Sequence, residues 1–411
     1  MKTFTPIQYL EIDVATNYGL DKSSWEDRLK WFDANRLQIE EGSIDGLKQG
    51  LLRHAKEPAL VLAGIFAYRD MLEGKPIGYT VGMDATASGL QILSLLINCR
   101  KSAMLCNLID VGGCVDAYTV VYEGCRARGL RKEIARKDAK RALMTHLYGS
   151  KAIPREVFGE GEDLATFYGV LDELLPGANA VNHALLKLWN PEALTHAWTL
   201  PDGFDVNIKV MGQQETSFKF FGETMTAVRQ VNMAQPDGLS LGANIVHSID
   251  GMVVREMVRR CGLPQEIYER AAIAVNSAPV MPPLTYRKQD LDLLRLLELY
   301  NESGFMSARI LEVIDEYNIG LLEQPHKHAL SMLWDSLPKE RFDLLTIHDC
   351  FRCHPNYVNT MRQQYNNILS EIAGSEMLRH IAYQLTGQRR EINKIDPTMA
   401  EEVLNAEYAL C

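Results

Sequence analysis

Two short apolar runs, TVGM at Thr80–Met83 and LLTI at Leu344–Ile347, each stop at or just before an aspartate, Asp84 and Asp349. Both read as strands. Most of the sequence around them has helical spacing, so a small sheet must be assembled from distant segments. Asp84 then enters a turn of small residues, ATASG, and Asp349 sits in the octet TIHDCFRC at Thr346–Cys353. If the two strands are neighbours, they present two carboxylates at one sheet end. Such a pair can bridge two Mg²⁺ ions ~4 Å apart, activating a hydroxyl and stabilising a leaving pyrophosphate. Taken singly, either aspartate is also an ordinary turn or helix cap.

A run between them narrows the choice. RKDAKRALMTHLYGSK (Arg136–Lys151) spaces Arg136, Lys140, Met144 and Tyr148 four apart. Four residues advance a helix by about 400°, so this row stays near one face. Two cations, a flat apolar side chain and a phenol suit a triphosphate, a base and a ribose in turn. Gly149 permits a helix end or close backbone approach. Arg126–Arg141 carries eight Lys/Arg against Glu133 and Asp138, although the formal net charge is -10. An acidic chain does not wrap nucleic acid unaided, so the field that matters is local.

Along the chain, residues 1–75 read as mostly helical, 76–87 as a strand entering a turn and Ser88–Asn98 as a helix. Residues 130–150 read as one long helix, and 241–260 as another. Leu200–Met233 holds two β-rich runs, which predicts a hairpin. From Pro264 to Pro338 the character changes. Pro279, Pro282 and Pro283 cluster, and KQDLDLLRLLELY and MSARILEVIDEYNIGLLE give amphipathic helical patterns. RFDLLTIHD then returns to strand, and helix follows.

The eight cysteines form no disulfide framework, no signal-peptide layout opens the chain, and no apolar run reaches the ~18 residues of a membrane span. These point to a soluble intracellular protein. His348, Cys350, Cys353 and His354 spell H-x-C-x-x-C-H, but alternate strand residues point to opposite faces, which argues against zinc. His326 and His328 read as solvated, and the cysteines of Cys99–Cys125 as core thiols.

In order and spacing these pieces resemble the single-subunit DNA-dependent RNA polymerases of phages and mitochondria. Asp84, Ser88, Gly89 and Gln91 match that family's D-x-x-x-S-G-x-Q. Arg136, Lys140, Arg141, Met144, Thr145, Tyr148, Gly149, Ser150 and Lys151 match its R-x-x-x-K-R-x-x-M-T-x-x-Y-G-S-K, and His348–Asp349 its H-D. GLDKSSWEDR, WTLPDGF, ANIVHSIDGMVVR and the tail AEYALC agree in order, and only Pro264–Pro338 falls outside. Ala85 stands where the family has Gly, a change that keeps the carbonyl.

The resemblance implies an α+β, mostly helical fold, with right-hand palm and fingers around a small antiparallel sheet and the thumb and N-terminal domain absent. Its divisions would be 1–125 (palm base and first motif), 126–240 (fingers and specificity hairpin), 241–263 (palm), 264–338 (helical insertion) and 339–411 (palm and tail). It implies two Mg²⁺ held by Asp84, the Ala85 carbonyl and Asp349. Arg136, Lys140, Arg141, Met144, Tyr148, Gly149 and His247 would bind the nucleotide, with Lys140 helping to protonate the leaving group and Tyr148 sensing the ribose 2′-hydroxyl. Ser88, Gln91, Ser150, Lys151 and His348 would face nucleic acid. The partners implied are a DNA template, nascent RNA, NTPs, a smaller second subunit and a DNA-binding accessory factor for promoter recruitment, in the host bacterial cytoplasm and at no membrane. The short stretch before Asp84 resembles the split, heterodimeric RNA polymerase of enquatrovirus-type phages, whose larger chain carries palm and fingers. The alternatives are a related right-hand DNA polymerase, against which Cys350 stands where that type has a second carboxylate, and a catalytically silent structural subunit.

Overall fold

In the computed structural model, residues 1–238, 240–276, 281 and 284–411 are described. Pro279, Pro282 and Pro283 lie outside them. Seven strands occur among the described residues: β1 (Val81–Asp84), β2 (Thr195–Thr199), β3 (Asp205–Lys209), β4 (Met211–Phe220), β5 (Glu223–Asn232), β6 (Leu345–Ile347) and β7 (Cys350–Cys353). Almost everything else regular is helix, so the fold is mostly helical α+β with small antiparallel sheets.

The sheet built from distant segments has the order β1-β7-β6. The LLTI strand is therefore not the direct neighbour of β1. It folds back through His348–Asp349, and β7 pairs with β1 in the register Val81↔Cys353 to Asp84↔Cys350. The other edge of β1 is taken by the tail. Asp84 N–H donates to the Cys411 carbonyl at 3.2 Å, Cys411 N–H donates to the Asp84 carbonyl at 2.9 Å, and Ala85 bridges Leu410. β1 is thus central, which fits its buried Val81 and Met83.

Buried polar groups fix these pieces. Asp13, on the helix Pro6–Ala15, accepts from the Tyr79 hydroxyl at 2.5 Å and from Gly82 N–H at 3.0 Å, which ties the first helix to β1. Arg362, on the helix Val358–Gly374, is 2 % exposed and donates to the carbonyls of Lys2 and Glu407. Trp25 opens the helix Trp25–Glu41, capped by Ser24, and stacks on Tyr408 at 5.1 Å. The guanidinium groups of Arg28 and Arg362 lie 4.6 and 5.0 Å from the Trp25 ring. Apart from Arg28 on Trp25, these contacts join residues far apart in sequence and cover buried charged and aromatic groups.

The long helix expected over 130–150 is shorter, Arg136–Leu147. Residues 130–135 cannot join it, because the Asp163 carboxylate captures the Arg131 and Lys132 N–H groups at 2.9 Å each. Leu200–Met233 holds part of two hairpins rather than one, β2–β3 and β4–β5. The second turns at Phe221–Gly222, both at positive φ (50° and 84°), the geometry of a tight two-residue hairpin turn. Its ten-residue arms are largely exposed.

Within 264–338 a separate core forms from Leu293, Leu297, Leu311, Ile314, Leu330 and their neighbours. The helices there are Gln265–Asn276, Lys288–Ser303 and Gln324–Ser336. MSARILEVIDEYNIGLLE is a correction, since only Ile310–Val313 and a short turn at Ile319–Leu321 are helical. Asp315 and Asn318 explain it: their side chains bind each other's backbone N–H and offer the chain a turn instead. His326, expected to be solvated, is 4 % exposed and bonds Asn301 and the Glu323 N–H.

Trp25→Ala removes a ring that joins the N-terminal helices to the tail. It should cost about 3–5 kcal/mol in equilibrium urea unfolding; a loss below about 1 kcal/mol would contradict this role.

Candidate active site

Asp349 lines a cavity of about 440 Å³ with Ser88, Tyr148, His247, Asp250, His348, Phe351 and Tyr365 among its walls. Five separate segments meet there. The β6–β7 turn supplies His348 and Asp349, and it closes in two residues because His348 adopts φ 56°. A non-glycine residue in that region is strained and is held by its surroundings.

The helix Ser88–Ile97 gives the S-G-x-Q run a physical meaning. Ser88 donates to the Asp250 carboxylate at 3.1 Å. A Cβ on Gly89 would lie 2.5 Å from the Tyr148 hydroxyl, so only glycine admits that phenol. Gln91 is fully buried. Its amide donates to the Cys106 and Ala409 carbonyls and accepts from Tyr365, so it ties the tail to the helix. The expectation that Gln91 faces nucleic acid is corrected, because every polar atom of its side chain is spent internally.

On the helix Arg136–Leu147, the row of four keeps one side. Arg136 pairs with Asp116 and donates to the Thr119 hydroxyl at 2.7 Å. Lys140 Nζ sits 4.8 Å from the Tyr118 ring centre. Met144 is exposed, and Tyr148 enters the cavity against the His247 ring at 4.5 Å. Gly149, at φ 85°, ends the helix: its N–H donates to His146 and that of Ser150 to Thr145, the paired bonds of a Schellman cap. Arg141 turns away and pairs with Glu156 at 2.8 Å. Ser150 accepts from the Ile153 N–H at 3.5 Å, and Lys151 is exposed at the start of the helix Ala152–Phe158.

The first aspartate is placed differently. Asp84 lines a smaller cavity of about 240 Å³ with Asp13, Asp21, Lys56, Cys350, Arg352 and Cys411. The register explains this: Asp84 faces Cys350, and the next pair sets Ala85 N–H on the Asp349 carbonyl at 3.1 Å. Asp84 closes β1 and Asp349 lies in the turn before β7, outside either strand, so the two carboxylates line different cavities at one sheet end. Ala85 is 9 % exposed, and its carbonyl already accepts from Ala87 N–H at 3.0 Å, leaving one lone pair. Cys350 and Cys353 likewise fall on different sides of β7, and among the described residues no group of three or more His, Cys, Asp or Glu side chains is placed to hold a metal. Two carboxylates without a protein cage still fit Mg²⁺, which keeps its waters and binds through one or two carboxylates plus substrate phosphates.

The electrostatics single out a residue the sequence reasoning passed over. Burial pushes the Asp250 carboxyl up to about 7, partly opposed by the Ser88 hydrogen bond and reinforced by Asp349. Burial also raises Tyr148, with Asp250 adding to the effect, and it raises Tyr118 to about 12 with Asp116 and Asp349 beside it. Burial opposes ionisation of Asp116, but the Thr119 hydroxyl and Arg136 outweigh it and hold its carboxyl below the usual range. Burial lowers His247. Asp250 stands three residues after His247 in VHSIDG, one helical turn on, and that spacing was its available signal.

Residues 4–157 match the family model described as DNA-dependent RNA polymerase. The segment carries Asp84 and the whole Arg136–Lys151 run. The chain is 28 % identical over 196 residues to a DNA-directed RNA polymerase of Pseudomonas phage phiKMV, covering 41 % of this chain and 22 % of that protein. It is 31 % identical over 161 residues to a "Probable DNA-directed RNA polymerase" of Neurospora crassa (35 % and 18 % covered). A protein of the same name from Podospora anserina is 34 % identical over 104 residues (23 % and 10 %). The chain therefore spans about a fifth or less of the length of these relatives.

Asp250 gives a pH signature. Its carboxyl is protonated in folded and unfolded chains below about pH 4 and ionised in both above about pH 7. Between these values folding favours the proton, so stability is lost as pH rises. Relative to Asp250→Asn, the wild type should weaken progressively from pH 4 to 8 in urea unfolding. A difference that stays constant with pH would contradict the raised carboxyl.

Proposed function

We propose that this chain is a catalytic part of a DNA-directed RNA polymerase, adding ribonucleotides from NTPs to an RNA 3′ end on a DNA template. One observation carries the reading. The segment that matches the polymerase family holds Asp84, and the β1–β7 pairing sets its next residue, Ala85, on the backbone of Asp349, a residue beyond the matched segment. The sheet with its two aspartates corresponds to a palm, and the Arg136–Leu147 helix to the fingers.

Asp84 and Asp349 offer hard oxygen donors to two Mg²⁺, with the free lone pair of the Ala85 carbonyl beside them. When bound, these ions favour the ionised 3′-hydroxyl and offset charge on the departing pyrophosphate. The 3′-oxygen attacks the α-phosphorus in line as the bond to pyrophosphate breaks. Positioning and charge are what the protein contributes. Arg136 and Lys140 bind the triphosphate. Arg136 must leave the partly buried Asp116 to do so, and a triphosphate offers that guanidinium more charge than a single carboxylate. Lys140 gives a proton to the leaving oxygen. Tyr148, admitted by Gly89 and backed by His247, meets the ribose 2′-hydroxyl and the new base pair. Ser88 and Asp250 hold that end of the cavity.

The working enzyme takes in DNA, RNA and NTPs. As further partners we propose a second, smaller subunit and an accessory factor for promoter recruitment. The acidic net charge of -10 accords with DNA-facing cations supplied by a partner. The host cytoplasm is the proposed setting, and among the described residues no helix is long and apolar enough to cross a membrane.

In primer extension on a DNA template by the reconstituted complex, Asp349→Asn should slow addition at least about 100-fold. An unchanged rate would overturn the catalytic reading, and a preference for dNTPs would favour a DNA polymerase instead. Tyr148→Phe should shrink the rNTP-over-dNTP ratio of kcat/KM by about 10-fold; an unaltered ratio would remove Tyr148 from sugar selection.

A further inference from the structure

A second cavity, of about 390 Å³, lies between the Lys288–Ser303 helix and the helix Met377–Thr386 with the loop that follows it. Asn301, Glu302, Arg379, His380, Tyr383, Arg389, Arg390 and Glu391 form its walls, and it shares no residue with the cavity around Asp349. The floor is built rather than incidental. His380 is 5 % exposed, and its Nε2 donates to the Thr199 carbonyl at 3.1 Å, an oxygen that also accepts from the Gln384 amide at 3.0 Å. Its Nδ1 is buried with no hydrogen-bond partner, and Glu302, at 3.9 Å, is beyond reach. A ring nitrogen held this way in a polar cavity is costly unless a ligand meets it.

The rest of the lining says which ligand. Arg389 lies 5.6 Å from the Tyr383 ring centre, is 81 % exposed and reaches Glu302 only at 4.0 Å. Arg379 pairs with Glu376 at 3.5 Å. These guanidinium groups are loosely held and suit phosphate oxygens, and Tyr383 offers an aromatic face. Glu302 and His380 offer acceptor and ring-nitrogen chemistry to a base edge or a sugar hydroxyl. The volume suits one nucleotide with its phosphate and excludes a duplex, whose bases are paired and stacked.

We propose that this cavity binds a single-stranded nucleic acid, taking one unpaired nucleotide against Tyr383 and His380 with its phosphates on Arg389 and Arg390. The inference rests on the reading of the chain as a nucleic-acid enzyme, but it concerns a site apart from the chemistry. It gives the 264–338 unit a purpose, since Asn301 and Glu302 come from that unit: the strand is gripped where the unit meets the rest of the fold.

The test uses the full chain without NTPs, fluorescein-labelled 12-mers of rU and dT, and a duplex of equal length. Arg389→Glu with Arg390→Glu should weaken single-strand binding at least 10-fold and flatten its salt dependence, while Arg389→Lys with Arg390→Lys stays within about 3-fold. Tyr383→Ala should weaken binding about 10-fold with the salt dependence unchanged, as loss of stacking requires. A 4-thiouridine or 4-thiothymidine oligomer should cross-link within the peptide spanning 379–391, and the stronger of the two assigns RNA or DNA as the strand. Cross-links confined elsewhere, binding within 2-fold of wild type in the charge-reversed variant, or duplex bound as tightly as single strand would each overturn the proposal. Asp349→Asn should bind the oligomers normally, so failure of the catalytic reading and failure of this one are told apart.

Discussion

The pairing of β1 with β7 is the constraint on which the rest depends. Four residue pairs join segments that sit near opposite ends of the sequence. Closing so long a loop is entropically costly, and the short strands cannot repay it by their own hydrogen bonds. The cost is met by what surrounds them: Asp13 grips β1 from one side, the tail pairs along its free edge, and Arg362 and Trp25 bind the tail to the N-terminal helices. The sheet is small, yet long-range polar contacts from the first helix and from the tail converge on it.

That convergence also shapes the chemistry. The S-G-x-Q run divides its labour between site and scaffold. Ser88 holds Asp250, Gly89 makes room for the Tyr148 hydroxyl, and Gln91 is spent on the Cys106 carbonyl, the tail and Tyr365. Asp84 ends β1 and Asp349 lies in the turn before β7, and the bond from Ala85 N–H to the Asp349 carbonyl joins the two segments there. On the proposed reading substrate phosphates complete this site, and among the described residues no group of three or more His, Cys, Asp or Glu side chains is placed to hold a metal.

Much of this was legible in the residues. Apolar runs ending at Asp84 and Asp349, the four-residue spacing from Arg136 to Tyr148, and Gly149 as a helix end are local signals, and local physics honours them. What was not legible depends on tertiary partners. β7 slips between β1 and LLTI because His348 accepts a left-handed conformation, which no pattern announces. The Arg136 helix starts late because Asp163, far along the chain, claims two N–H groups. MSARILEVIDEYNIGLLE has helical spacing, but Asp315 and Asn318 close a turn in it. Asp250 has only its spacing from His247 to mark it in the sequence, and burial beside Ser88 and Asp349 gives it weight.

The central claim is that Asp84 and Asp349, brought together by β1 and β7, serve one metal-dependent centre. Fe²⁺ in place of Mg²⁺, with an NTP and peroxide, generates hydroxyl radicals that cut the backbone near the bound ion. The account predicts cuts clustered around both residue 84 and residue 349, suppressed together by excess Mg²⁺ and by Asp349→Asn. Cuts at only one of the two segments, or cuts that survive Asp349→Asn, would contradict it.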